Sequence, residues 1–392
     1  MKKIHIALLP RIIIAIILGV ILGHIFPLPL IRVFATFNAI FGNLLKFLIP
    51  LIIFGLVTPA IGDIGKGAGR LLLITALIAY FSTVSSGFIS YFTSASVFPG
   101  LIELGAGQKV AEIGESVEAY FNIQIPPVFD VMSALVLSFT IGLGITALKN
   151  STALKDVMND FKAIITKTIE NVIIPLLPLY IMGIFMTMTY SGQAARVIDV
   201  FLKIIIVIFI MHICLLLLQF VIAGLIAKKN PFRMLKNMLP AYFTALGTSS
   251  SAATIPVTLR QVKINGVNEG VAGFVVPLCA TIHMSGSMLK IVACAVALML
   301  MQDKPFDIGM FAGFILMLGV MMVASPGVPG GSIMAALGVL SSMLGFDEAD
   351  QALMIALYIA MDNFGTACNV TGDGAIALIV NRIHKEETTS DL

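Results

Sequence analysis

The residues most able to do chemistry lie close together near the C-terminus, in the stretch Asp362 to Asp373, AspAsnPheGlyThrAlaCysAsnValThrGlyAsp. Asp362, Thr366, Asn369 and Asp373 fall four, three and four residues apart. At about 100° per residue they share a stripe roughly 60° wide on one helix face. That stripe is polar, but LeuMetIleAlaLeuTyrIleAla precedes it and GlyAlaIleAlaLeuIleVal follows it. An ionisable group in hydrocarbon costs several kcal/mol unless it is paired or wetted, so two carboxylates on one face mark a cation or substrate site. A helix lining a water-filled cavity is the plainer reading of the same pattern.

With 58% hydrophobic and 11% charged residues, the chain is a polytopic membrane protein. The first apolar run, Ile12 to Phe26, leads into ProLeuProLeuIle rather than a small-residue cleavage site, so no cleavable leader is read there. No basic patch interleaved with aromatics suggests nucleic acid. Cys214, Cys279, Cys294 and Cys368 sit in apolar segments without CxxC spacing and read as small buried residues, neither zinc ligands nor a disulfide.

Runs long enough to span occur near 11–30, 35–60, 71–98, 128–147, 164–188, 199–227, 268–301 and 350–381. Lys and Arg content orients the connections between them. Lys2 and Lys3, Lys66 and Arg70, then Lys149, Lys155, Lys162 and Lys167, then Lys228, Lys229, Arg233 and Lys236 mark the cytoplasmic side. The connection 99–127, with Glu103, Glu112, Glu115 and Glu118 against Lys109, and that near 190–198, with Arg196, lie outside. Arg260 and Lys263 return to the inside, so 237–256 must dip into the membrane and come back. By the same parity 309–345 dips between the outer segments Asp303 to Asp307 and Asp347 to Asp350, leaving Arg382, His384 and Lys385 inside.

Both hairpin tips, ThrSerSerSerAlaAla (Thr248 to Ala253) and SerProGlyValProGlyGly (Ser325 to Gly331), are rich in residues that break helices. Exposed backbone at that depth is tolerated where protein or a wet cavity surrounds it. Two hairpins entering from opposite sides form an inverted-topology pattern, which points to a secondary transporter with its site at the midplane. A third break is read at Pro277 to Ser287 in the seventh span, and Tyr80, Ser82, Thr83, Ser85 and Ser86 add hydroxyls to the third. The fold class is therefore all-α, with eight transmembrane helices and two re-entrant hairpins.

SerSerSerAlaAlaThrIleProValThr (Ser249 to Thr258), the core Ala280 to Gly286, GlyValProGly (Gly327 to Gly330) and AsnValThrGlyAsp (Asn369 to Asp373) resemble, in that order, the signatures of the dicarboxylate/amino acid:cation symporter family, the glutamate transporter family. The motif-rich part runs from Tyr242 to the C-terminus. The resemblance implies a homotrimer in the cell inner membrane, with cytoplasmic termini and lipid around it. Scaffold spans (1–70 and, with an extracellular loop, 99–198) would hold a mobile transport domain built from 71–98 and 199–392. It implies that Asp362 binds the substrate's α-amino group and Asn369 its α-carboxylate. Thr366 and Ser287 would contribute hydroxyls, and the tips near Ser249, Ser250, Ser251 and Val328 would close over the ligand. It implies one Na+ at Asp373 and Asn369, with backbone oxygens near Cys279 and His283, and another among carbonyls around Thr281, Met322, Val323 and Ser325. No organic cofactor is implied.

Departures from the family pattern bear on the cargo. Acidic-substrate members carry an arginine where this chain has Gly365, and neither Ser249 nor Asn363 replaces that cation. A second substrate carboxylate would then be desolvated without a partner, so a neutral amino acid, small and polar, fits better. An acidic amino acid or dicarboxylate, or coupling to H+ instead of Na+, is the alternative. The family's AsnMetAsp reads HisMetSer at His283 to Ser285, so Ser285 replaces a carboxylate that, with hydroxyls matching Ser82 and Thr83, frames a third cation; that site is weakened or lost. His283 either carries a proton in place of a cation or serves as a neutral hydrogen-bonding imidazole. Lys290 either snorkels outward or pairs with Asp362 or Asp373. An intramembrane hydrolase using the GlyThrSerSer hydroxyls, His283 and Asp362 is a competing reading from another class, as is a passive channel; catalysis would need a base positioned beside the serine.

Overall fold

A computed structural model describes residues 8–65, 70–102, 117–148, 152–192, 194–325 and 329–390, with the side chains of 63–65, 132, 196 and 385–390 excepted. Of the residues weighed above, Lys2, Lys3, Lys66, Glu103, Lys109, Glu112, Glu115, Lys149, Gly327 and Val328 lie outside this set, and Arg196 and Lys385 are described in backbone alone.

Among the described residues every regular element is helical. The helices are α1 (Leu8–Ile25), α2 (Leu28–Gly65), α3 (Arg70–Val97), α4 (Val131–Ala147), α5 (Ala153–Thr168), α6 (Ile174–Tyr190), α7 (Ala194–Ala227), α8 (Pro231–Thr248), α9 (Ser251–Ile264), α10 (Glu269–Ile282), α11 (Ser285–Met301), α12 (Ile308–Ala324), α13 (Gly331–Leu344), α14 (Glu348–Ala360) and α15 (Asp362–Ser390). Six stretches are long and apolar enough to cross a bilayer, and α14 with α15 makes a seventh if that bent pair is one span. The protein is a polytopic membrane protein by this measure.

Helix α1 shows how sequence selects the buried face. Ile12, Ala15, Gly19 and Gly23 recur at three- and four-residue spacing and are buried, while Ile13, Ile14, Ile17, Leu18 and Ile21 face outward. The small residues let α1 lie directly on α6, because hydrocarbon gives no hydrophobic drive and close backbone approach supplies the attraction instead. A Cβ at Gly23 would meet the Met186 carbonyl at 2.7 Å and the Thr189 Cβ at 2.6 Å. Neither is a flexible chain end, so Gly23→Val is expected to destabilise the folded protein by about 2–3 kcal/mol, read as a lowered melting temperature in detergent.

Helices α1, α2, α4, α5 and α6 pack chiefly on one another. Around α11, whose residues are all buried, gather α3, α7, α14 and α15. Helices α8 and α9 form one antiparallel pair against α15, and α12 with α13 form another that rests on α3 and α2.

Several boundaries differ from those expected. The first hairpin runs from Pro231 to Ile264, longer at both ends than 237–256, because Asn230 caps α8 by accepting from Arg233 N and Pro231 takes the first helical position. The span placed at 164–188 is preceded by the amphipathic α5 and joined to α6 by a π-helical turn, Ile169–Ile173. The last span is not continuous: it bends by 61° at Met361, a break that no glycine or proline announces. Cys214 is exposed rather than buried, since it lies on an outward face of α7.

Candidate functional site

Four helix breaks meet inside the protein. Helix α8 ends at Ser249, which adopts a left-handed conformation (φ 52°), and the Ser250 hydroxyl caps α9 by accepting from Ala253 N. The second hairpin turns through Gly330 (φ 75°) into α13. Helices α10 and α11 are separated at His283 and Met284, and α14 and α15 at Met361. Both hairpin tips reach the start of α15: Ser249 Oγ donates to Asn363 Oδ1 at 2.5 Å, and Gly330 N donates to Asp362 Oδ2 at 2.9 Å. Ser251 is the first residue of α9. The N-terminal ends of α11, α13 and α15 thus surround one region, and their positive dipole ends suit an anion, a place taken in part by Asp362 and the Asn369 oxygen.

Asp362 ties the second hairpin to α11. Its Oδ2 takes the hairpin amide, and its Oδ1 accepts from Lys290 Nζ at 3.2 Å. Lys290 is fully buried, lies 3.6 Å from the Tyr358 ring centroid, and also donates to the Met361 carbonyl at 3.4 Å. It does not snorkel. A Cβ at Gly365 would stand 2.5 Å from the Lys290 ammonium, so the space that Gly365 leaves open is filled from α11. The polar chain continues through Tyr358 Oη, 3.0 Å from Ser287 Oγ, to Asn369, whose Nδ2 donates to Ser287 Oγ at 3.2 Å. Asn369 Oδ1 accepts from Gly286 N and Ser287 N, capping α11 from a neighbouring helix. Thr366 is buried on the same face of α15.

One turn further on, Asp373 meets a second cluster. His283 Nδ1 lies 2.9 Å from Asp373 Oδ1, and since a carboxylate only accepts, Nδ1 carries the hydrogen. Nε2 lies 3.1 Å from Ser82 Oγ. The Gln219 amide donates to Ser82 Oγ and Ser285 Oγ, each at 3.1 Å, and Thr83 Oγ1 accepts from Met284 N. The hydroxyls expected to frame a third cation therefore come together, but they are tied by an amide N–H and an imidazole.

Ser82, His283 and Asp373 have the hydrogen-bond order of a hydrolase triad, yet the serine lies mid-helix in α3 and its oxygen already accepts from Gln219. The hydroxyl and carboxylate of the hydrolase reading are elsewhere, because Ser249 bonds Asn363 and Asp362 bonds Lys290. Sequence reasoning missed Gln219 and His212. They lie seven residues apart on one face of an apolar stretch of α7, and His212 Nε2 donates to the Gly286 carbonyl at 3.0 Å. A polar pair at helical spacing inside an apolar run was the available signal.

The other expected cation ligands sit at helix C-termini. The Cys279 carbonyl accepts from His283 N, and Thr281 donates its hydroxyl to the Leu278 carbonyl. Helix α12 ends beside α10, and the cavity of about 230 Å³ against Ile282, Val323 and Ala324 is an apolar one, lined also by Ile61, Leu77 and Phe139, and is not itself the cation site. Met322 O takes Ser325 N, and Ser325 Oγ is 3.3 Å from Ser332 Oγ. Two negative helix ends converging in this way suit a small cation held by carbonyls.

A family profile described as the sodium:dicarboxylate symporter family matches residues 8–383, almost the whole chain. The chain belongs to that family. It is a membrane symporter that uses sodium, and not an enzyme. Serine/threonine transporter SstT of Acinetobacter baylyi is 27% identical over 97% of this chain and 98% of its own length. Human excitatory amino acid transporter 2 is 30% identical over 66% of this symporter and 46% of its own length, and rabbit excitatory amino acid transporter 3 is 35% identical over 42% and 31%.

Proposed function

We propose that the chain carries a small neutral amino acid into the cell together with Na+, as an elevator-type symporter. The observation that carries this reading is at Asp362. Its carboxylate, held by Gly330 N at one hairpin tip and by Lys290, is the anionic partner that an α-amino group would take over. Lys290, the ammonium nearest the Gly365 space, is matched one for one by that carboxylate, so the pair holds no cation in excess for an acidic side chain. A second carboxylate would be desolvated at a cost of several kcal/mol. The Acinetobacter relative, matched over nearly its full length, is named for serine and threonine, both neutral.

Sodium is assigned to Asp373 and to the carbonyls where α10 and α12 end. Helices α1, α2, α3, α4, α5 with α6, α7, α10 with α11, and α14 with α15 make eight crossings, and the pairs α8–α9 and α12–α13 are re-entrant. Residues 1–70 and 99–198 form the scaffold of a trimer, and 71–98 with 199–392 the moving domain. The packing of α1, α2, α4, α5 and α6 chiefly among themselves supports that division. The protein resides in the cell inner membrane with both termini in the cytoplasm.

In proteoliposomes, radiolabelled serine or threonine is expected to accumulate under an inward sodium gradient and not under a proton gradient alone. Preferred accumulation of aspartate, or proton-driven uptake without sodium, would overturn the assignment.

A further inference from the structure

In the substrate site the two charged side chains neutralise one another, while the amide usually expected to receive a carboxylate is engaged on both sides. Asn369 Oδ1 holds two backbone N–H groups, and its Nδ2 donates to Ser287 Oγ and lies 3.4 Å from Met284 Sδ. A carboxylate at Nδ2 would displace the Met284 thioether contact and leave the α11 cap, made by Oδ1, in place. Lys290 is differently placed. Its ammonium contacts one carboxylate oxygen, one carbonyl and one aromatic face, through a flexible four-carbon stem whose end occupies the open space at Gly365.

We propose that Lys290 is the residue that binds the substrate's carboxylate, exchanging Asp362 for it as the substrate's amine takes over Asp362. Charge count decides this, given the amino acid reading above on which it rests. One buried ammonium and one buried carboxylate pair with each other when the site is empty. A zwitterion offers one group of each sign on a single carbon, so both protein charges change partner and neither is stranded in a low-dielectric interior. A free amine leaves Lys290 unpaired, and a carboxylate without an amine has no claim on Asp362. The site therefore selects for the pair of groups, and Lys290 and Asp362 together set that selection.

The test is a ligand comparison in the full-length protein in detergent with sodium present, by calorimetry or thermal shift. The probes are L-serine, its methyl ester and ethanolamine, which is serine without the carboxylate. Wild type is expected to prefer L-serine over either carboxylate-free probe by about 30-fold or more. Lys290→Met should reduce that preference to a few-fold, and Lys290→Arg should retain most of it. Gly365→Ala, which intrudes on the ammonium without removing it, should also weaken the preference and covers the case in which Lys290→Met does not fold. A role confined to packing would lower affinity for all probes together. An unchanged preference in Lys290→Met, or in Gly365→Ala where Lys290→Met does not fold, overturns the proposal while leaving amino acid transport intact. Absence of serine binding to wild type, with no other neutral amino acid binding in its place, overturns the transport reading and this assignment with it.

Discussion

Asp362→Asn is expected to destabilise the folded protein by about 3–5 kcal/mol and to abolish uptake, whereas the double replacement Asp362→Asn with Lys290→Met should recover most of the stability and none of the uptake. The asparagine keeps an acceptor for Gly330 N, so the hairpin contact is preserved and the change isolates charge. What it removes is the counter-charge of a fully buried ammonium, whose remaining neighbours are the Met361 carbonyl and the Tyr358 ring. Removing one member of a buried pair leaves the other uncompensated, while removing both strands no charge. Melting temperatures in detergent for the wild type, both single variants and the double give the coupling as a double-mutant cycle. A single variant as stable as wild type would show that Lys290 does not depend on Asp362. Recovery of uptake in the double would show that the amine of the substrate is held elsewhere.

How far this pair could be foreseen depends on which information each residue carries. The stripe from Asp362 to Asp373 is legible because a period of 3.6 is a local property of the chain, and one continuous helix, α15, holds all four positions. The helix pairs α8–α9 and α12–α13 are where the parity of lysine and arginine along the chain calls for two extra returns. Lys290 is a different case. Its distance along α11 leaves both carboxylates open as partners, and the choice depends on the gap at His283 and Met284 and the 61° bend at Met361. The bend has no glycine or proline to announce it. Gln219 and His212 are harder still: seven residues apart, they share one face of the apolar α7, but that spacing names no partner, and theirs on α3 and α11 lie far away in sequence. The absence of arginine at Gly365 is visible in the chain, but the ammonium that fills the space comes from a helix whose register sequence alone does not set.

Asp373→Asn should remove the dependence of amino acid binding on sodium. The carboxylate is almost fully buried and bonded to an N–H of His283, a dipole rather than a full cation when the imidazole is neutral. One net negative charge in a low-dielectric interior is costly, and a sodium ion beside it lowers that cost. The ends of α10 and α12 offer carbonyls to a second ion, but carbonyl dipoles alone leave the charge of Asp373 unmatched. Coupling is reciprocal: if sodium raises amino acid affinity by a given factor, the amino acid raises sodium affinity by the same factor. Losing the carboxylate should therefore appear in both measurements, with the rise in serine affinity between sodium-free and sodium-rich buffer falling from tenfold or more to about twofold. His283→Gln is the companion variant, because its amide keeps an N–H for Asp373 and is uncharged. If His283 serves as a hydrogen-bond donor, that variant retains the sodium response that Asp373→Asn loses. Undiminished stimulation by sodium in Asp373→Asn would remove Asp373 from the cation path and leave the carbonyl site between α10 and α12 as the place where coupling occurs.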